Sequence, residues 1–308
     1  MRPILRLVAP VVVLVASLGG CSTAVAPIRA PGTSTVLQVV AAENFWGSIA
    51  AQLGGRQVRV RSIIASPAAD PHSYEATASD ARAIAAADLV LVNGIGYDTW
   101  ATQLVVANPT PGRLTLTVGS VVGVTDGANP HRWYNPADVQ RVVAALVADY
   151  QRLDPADTKY FANRATAFET TALGPYHSVL DAIRAEYAGT AVGASESIFA
   201  MIAPALGLRL MTPAGFMRAV SEGTDPTAQD KATIDAQIAA RTIKVYVYNS
   251  QNATPDIVAQ IDQAKAQGIP VTAITETLTP ATASWEQWQT TQLLALQAAL
   301  AASTTGAR

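Results

Sequence analysis

The 308-residue chain is poor in the side chains that usually declare a function. It has one cysteine, which excludes an intrachain disulfide framework and a thiolate zinc cluster. It has three histidines and four lysines, and 14% of its residues are charged, where an average soluble domain carries about 25%. The formal net charge is −2, and no basic stripe of the kind nucleic-acid binders use is present. Metal or acid–base chemistry must therefore fall to His, Asp and Glu. What the chain has in excess is apolar residues, 50% of the total. That suffices for a sizeable core in one or two domains and excludes disorder as the dominant state.

The one cysteine sits at position 21. Arg2 and Arg6 precede a short apolar run over 7–17 and the small-residue ending Leu18-Gly19-Gly20-Cys21. This is a secretory signal pattern, too short for a comfortable membrane span. Its ending resembles a bacterial lipobox, in which removal of residues 1–20 leaves a lipid-modified Cys21 as the first residue. The alternative is an ordinary signal peptide with an incidental cysteine. Several acyl chains on Cys21 would anchor the protein stably to a membrane surface. The small, polar, Pro-containing stretch that follows reads as a flexible tether over 21–35.

From position 36 onward, apolar β-type runs alternate with helical periodicity. Strands are expected over 36–40, 58–64, 89–92 and 114–118, with helices over 45–53, 79–87 (Ser79 as its cap) and 98–106 between them. The alternation resumes with strands at 191–194, 208–211, 245–248 and 271–274 and helices over 199–206, 228–240, 256–267 and 285–302. Between these halves, 136–187 reads as helix throughout: one from Pro136, then a second from 155 to 187 kinked at Pro175. The expected fold is α/β, two doubly wound parallel-sheet lobes (36–135 and 189–308) joined by a helical linker (136–188) whose long helix would bridge the lobes. No residue-level repeat is visible.

Ligands in open α/β sheets bind outside the carboxyl ends of the strands. His72, in Asp70-Pro71-His72-Ser73-Tyr74-Glu75, follows the second expected strand. His131, in Asn129-Pro130-His131-Arg132-Trp133, follows the fourth. Glu196 and Glu276 follow strands of the second half. Each lobe would thus offer two ligand-type side chains, and two imidazoles with two carboxylates form a net-neutral site for a divalent cation. Singly, each residue has a plainer reading. A loop histidine can be solvated or capping, Glu196 can favour a helix N-terminus, and Glu276 can be a solvated loop residue. His177 is assigned no role.

The segments AAENFWGSIAAQLGG, ASPAADPHSYEATASDARAIAAADLVLVNGIGYDTW, NPHRWYNP, GASESIFAMIAPALG and TAITETL resemble, in order, the metal-binding lipoproteins of zinc and manganese ABC importers, the ZnuA/TroA-like cluster A-I solute-binding proteins. The resemblance runs from about residue 36 to 301. It implies that His72, His131, Glu196 and Glu276 are the four metal ligands. It implies one bound divalent ion, manganese or zinc with iron as a third candidate, carried as cargo. The partners it implies are an ABC permease and its ATPase, and the membrane through lipid on Cys21. The protein would be an extracytoplasmic, lipid-anchored monomer and not an enzyme. Two departures from the family pattern stand out. Glu276 is a methylene longer than the commoner Asp, and 107–130 lacks the His-rich loop of many zinc members. Tyr74 and Asn249 are candidates to fix the imidazole tautomers. The competing readings are a surface adhesin or metallochaperone without a transporter, and a metal-dependent hydrolase. Against the hydrolase, there is no HExxH or GxSxG motif, and the ion would consume all four candidate ligands.

Overall fold

Eight short parallel strands form two four-stranded sheets in the computed structural model, which describes residues 36–69 and 74–305. His72, Cys21, the signal segment and the tether lie outside the described residues. The first sheet contains β1 (Leu37–Glu43), β2 (Val58–Ile64), β3 (Leu89–Val92) and β4 (Leu114–Thr117), in the order β2-β1-β3-β4. The second contains β5 (Ala191–Ala194), β6 (Arg209–Leu210), β7 (Val245–Asn249) and β8 (Val271–Ile274), in the order β6-β5-β7-β8. The same order therefore recurs in both lobes, although no repeat is visible in the residues. Central strands are buried on both faces, as Leu89–Val92 and Ala191–Ala194 illustrate, which is why they read as unbroken apolar or small-residue runs.

The linker helix Pro136–Leu153 begins where the sequence says it should. Asn135 accepts from the backbone N–H groups of Ala137 and Asp138, and Pro136 occupies the first turn, where a missing N–H costs nothing. Its buried face, including Val139, Val142, Leu146 and Tyr150, packs toward the first lobe, and the Tyr150 hydroxyl donates to the Ala50 carbonyl at 3.0 Å.

Several expectations are corrected. The long helix over 155–187 is segmented into Thr158–Ala167, a π turn at Phe168–Ala172, and Gly174–Tyr187. Pro175 explains the break: it donates no N–H and its ring would clash with the carbonyl four residues back, so the turn before it widens and Leu173 N–H reaches Phe168 at 2.9 Å. The cap of the second helix is Thr77, not Ser79. Thr77 and Asp80 form a reciprocal capping box that starts the helix at Ala78. The helix expected over 199–206 stops at Ile202, because Pro204 withholds a donor from the next turn. Two α-helices among the described residues were not anticipated: Val118–Val122, between β4 and His131, and Ala214–Ser221, which buries Phe216, Met217 and Val220.

One continuous apolar core runs through both lobes, from Leu37 and Phe45 in the first to Val245 and Leu300 in the second. The closing helix Trp285–Thr305 lies against Gly174–Tyr187, with Trp285 edge-on to Tyr176 at 5.1 Å. Lobes sharing a core of this extent resist wide hinge motion. Among the described residues, no helix is long and apolar enough to cross a membrane.

Candidate metal centre

The carboxyl ends of the two sheets meet between the lobes. On the first-lobe side the buried side chain is His131, 1% exposed. Asn93, just past β3, accepts from the Trp46 indole N–H and donates to the Pro130 carbonyl, both at 3.0 Å, and so sets the height of the His131 loop. Asn129 Oδ1 accepts the His131 backbone N–H at 3.1 Å and lies 2.8 Å from ring Nδ1. An amide oxygen can only accept, so Nδ1 carries a proton, and in the neutral imidazole Nε2 is then the nitrogen with the lone pair. Trp133 and Tyr97 meet the imidazole edge-on at 5.2 and 6.0 Å, and Trp133 in turn stacks on Phe45 at 3.8 Å. The ring therefore has one orientation.

The second lobe supplies the carboxylates. Glu276 Oε1 lies 3.7 Å from His131 Nε2 and accepts from the Tyr97 hydroxyl at 2.8 Å. Tyr97 arrives on a tight loop in which Gly94, Ile95 and Gly96 are all left-handed (φ +69°, +58° and +77°). For a β-branched residue such as Ile95 that conformation is strained. Asp98 holds the loop by accepting from the N–H groups of Asn93 at 2.6 Å and Gly94 at 2.7 Å. Glu196, 2% exposed, accepts from Asn249 Nδ2 at 3.1 Å through Oε2. Its neighbour Ser197 is bridged to the first lobe: the carbonyl accepts from Asn129 Nδ2 at 2.6 Å, and the hydroxyl lies 3.4 Å from His131 Nδ1.

The structure thus brings His131 and Glu276 face to face, with Glu196 on the adjoining loop. Asn249 stands behind a carboxylate rather than an imidazole; Asn129 is the residue that holds the described imidazole. The Tyr74 hydroxyl goes to Asp80 at 3.0 Å and its ring to Trp100 at 4.8 Å, so it serves the cap of the helix Ala78–Ala85. Among the described residues, no three His, Cys, Asp or Glu side chains form a ready ligand cluster. Cavities flank the site on both sides. One of about 470 Å³ opens beside His131, Tyr97 and Met217; another of about 230 Å³ opens beside Glu276, Gln251 and Pro67. Asn129, Tyr97 and Gln251 were not identified from the sequence. Only Asn129, two residues before His131, had a local signal, since Asx side chains often bond the backbone two residues on.

Beneath this layer, Glu43 at the end of β1 and Asp98 are both fully buried. Burial, then the neighbouring Asp98 charge, pushes the Glu43 carboxyl well above its usual range. Burial pushes Asp98 up to about 6, against the pull of the Gly94 and Asn93 N–H groups. Folded-state values above unfolded ones mean that the stability these groups allow is fully present at low pH. For Asp98 it is lost as pH rises from about 4 through the folded value near 6, and the upward shift of Glu43 has the same sign. Glu43→Gln removes the ionisable group and keeps its shape. It should be more stable than the parent at pH 8 by about 1–3 kcal/mol, the usual cost of a poorly compensated buried polar group. The difference should vanish toward pH 4, and urea unfolding at both pH values checks this.

The model of a family described as "Zinc-uptake complex component A periplasmic" matches residues 39–299. Among curated proteins, the chain is 26% identical over 135 residues to the manganese-binding lipoprotein MntA of Halalkalibacterium halodurans, covering 43% of this chain and 45% of that protein. It is 28% identical over 181 residues to the iron-binding protein YfeA of Yersinia pestis, covering 54% and 55%. The chain spans about half the length of the curated relatives it matches. Among solved structures, the Mn-bound periplasmic metal-binding protein from Candidatus Liberibacter asiaticus superposes with a TM-score of 0.69 at 17% identity, covering 85% of this chain and 98% of that one. At that identity the likeness shows the fold: two parallel-sheet α/β lobes.

Proposed function

We infer function from membership: the chain belongs to the zinc-uptake complex component A periplasmic family, whose model spans residues 39–299. That is a family of uptake-complex components rather than of enzymes. We propose that the protein captures one divalent transition-metal ion, manganese or zinc with iron as a third candidate, between its lobes. It then delivers the ion to an ABC permease driven by its ATPase, from a position outside the cytoplasm where lipid on Cys21 anchors it to the membrane. The ligands in this reading are His72, His131, Glu196 and Glu276.

The observation that carries the reading is the facing pair of His131 Nε2 and Glu276 Oε1, 3.7 Å apart. A ring nitrogen and a carboxylate oxygen that face each other at that distance, just beyond direct hydrogen-bond reach, can share a cation between them. Donors about 2.1 Å from a shared transition-metal ion lie roughly 3–4 Å apart over the usual bond angles. Charge supports the same reading. Glu196 and Glu276 are buried, and a dication neutralises two carboxylates that would otherwise be costly to keep ionised. Tyr97 and Asn249 each hold one carboxylate oxygen and so orient both groups before the ion arrives. An ion bridging the lobes favours the arrangement in which His131 and Glu276 face each other, by its differential affinity for it. The shared core keeps the accompanying movement small.

Thermal melts of chelator-stripped protein, alone and with Mn, Zn or Fe(II), test the proposal. At a free-ion concentration of 100 Kd the gain should be about 2.7 kcal/mol, or roughly 4–5 °C at this chain length. No shift with any of the three ions contradicts it.

A further inference from the structure

The middle strand between the two carboxylate-bearing strands carries no ligand of its own. β7 lies between β5, which leads to Glu196, and β8, which leads to Glu276. The turn after β7 reaches to both sides. On one side Asn249 donates to Glu196 Oε2. On the other, Gln251 Oε1 accepts the backbone N–H groups of Glu276 at 2.6 Å and Thr277 at 2.9 Å. Gln251 Nε2 donates to Thr277 Oγ1 at 2.9 Å and to the Pro67 carbonyl in the first lobe at 2.8 Å. The turn is itself fixed, because the Gln251 backbone N–H donates to Asn249 Oδ1 at 3.0 Å.

We propose that Gln251 is a positioning residue for ion retention: its amide clamps the Glu276 loop to the first lobe and so sets how slowly the ion leaves. The inference rests on the metal-capture reading above and adds a residue to it. One primary amide makes four hydrogen bonds here, two accepted and two donated, which is its full capacity. Three of them fix the backbone and neighbour of Glu276. The fourth crosses between lobes, so the loop that bears Glu276 cannot move away from the first lobe without breaking the contact to Pro67. A clamp that holds a ligand-bearing loop in its ion-bound place should act chiefly on dissociation, as most affinity differences between variants of one site do.

The test loads the full chain with zinc and times its release to excess fluorescent chelator. Association is measured separately by stopped flow. Gln251→Met, close in shape but unable to make any of the four bonds, should release zinc at least tenfold faster with an association rate within about twofold of the parent. Gln251→Glu keeps acceptor oxygens for the Glu276 and Thr277 N–H groups but cannot donate to the Pro67 carbonyl. Its release should fall between the other two. A methionine variant that releases zinc at the parent rate overturns the proposal, as does one whose loss lies wholly in association. A glutamate variant as slow as the parent overturns the clamp to Pro67. If the parent binds no zinc, manganese or iron, the metal-capture reading itself fails and this inference falls with it. A parent that binds while all variants behave alike overturns this inference alone.

Discussion

Replacing His131 by alanine should reduce metal affinity about a thousandfold, a loss of roughly 4 kcal/mol, and abolish the thermal shift at micromolar ion. The substitution removes the Nε2 donor that faces Glu276 Oε1 at 3.7 Å. It leaves Glu276 and Glu196 buried with one imidazole fewer to share the ion. Because His131 is wedged between Trp133 and Tyr97, the metal-free protein should also lose stability, by about 2 kcal/mol, typical of a large-to-small change in a packed site. Competition titration against a chelator measures the first effect and urea unfolding of stripped protein the second. A variant with lowered stability but unaltered affinity would make His131 a packing residue and nothing more.

Asn129→Ala should have the next largest effect, about 10–100-fold in affinity, the range expected when the partner of a ligating imidazole is lost. Its Oδ1 is the reason that the Nδ1 proton stays where it is and that Nε2 points toward Glu276. Without it, the ring can adopt the other tautomer or turn over. Asn129→Asp restores an acceptor to Nδ1 but cannot donate to the Ser197 carbonyl, which Asn129 Nδ2 now reaches at 2.6 Å. The aspartate variant should therefore recover part of the loss. Isothermal titration of the parent and both variants with one ion checks the order parent, aspartate, alanine.

The sequence carried the fold wherever the determinants are local. The strands Val58–Ile64 and Val271–Ile274 lie where the apolar β-branched runs put them, and their alternation with helical stretches pointed to two parallel sheets. The loops bearing Glu196 and Glu276 do follow strand ends directly, as expected, whereas the unanticipated helix Val118–Val122 separates His131 from β4. What escaped is long-range. Tyr97 meets Glu276 across 179 residues, and Gln251 meets Pro67 across 184. Each is an ordinary polar loop residue until the lobes are brought together. The break at Phe168–Ala172 escaped for a different reason. Pro175 announces a kink, but whether the chain bends or widens into a π turn depends on how Phe168 and Leu173 bury themselves in the core. The role of Tyr74 at the cap of the helix Ala78–Ala85 was equally hidden, because the bond of its hydroxyl to Asp80 follows from the capping box that Thr77 and Asp80 form.

An ion held between the lobes by His131 and Glu276 would be located by anomalous scattering at the metal absorption edge, from crystals of the loaded protein. A single strong peak per chain is expected, about 2.1 Å from both His131 Nε2 and a Glu276 carboxylate oxygen, with Glu196 and His72 completing the coordination. A peak elsewhere on the chain would contradict this placement, as would metal-loaded crystals with no peak between these two side chains.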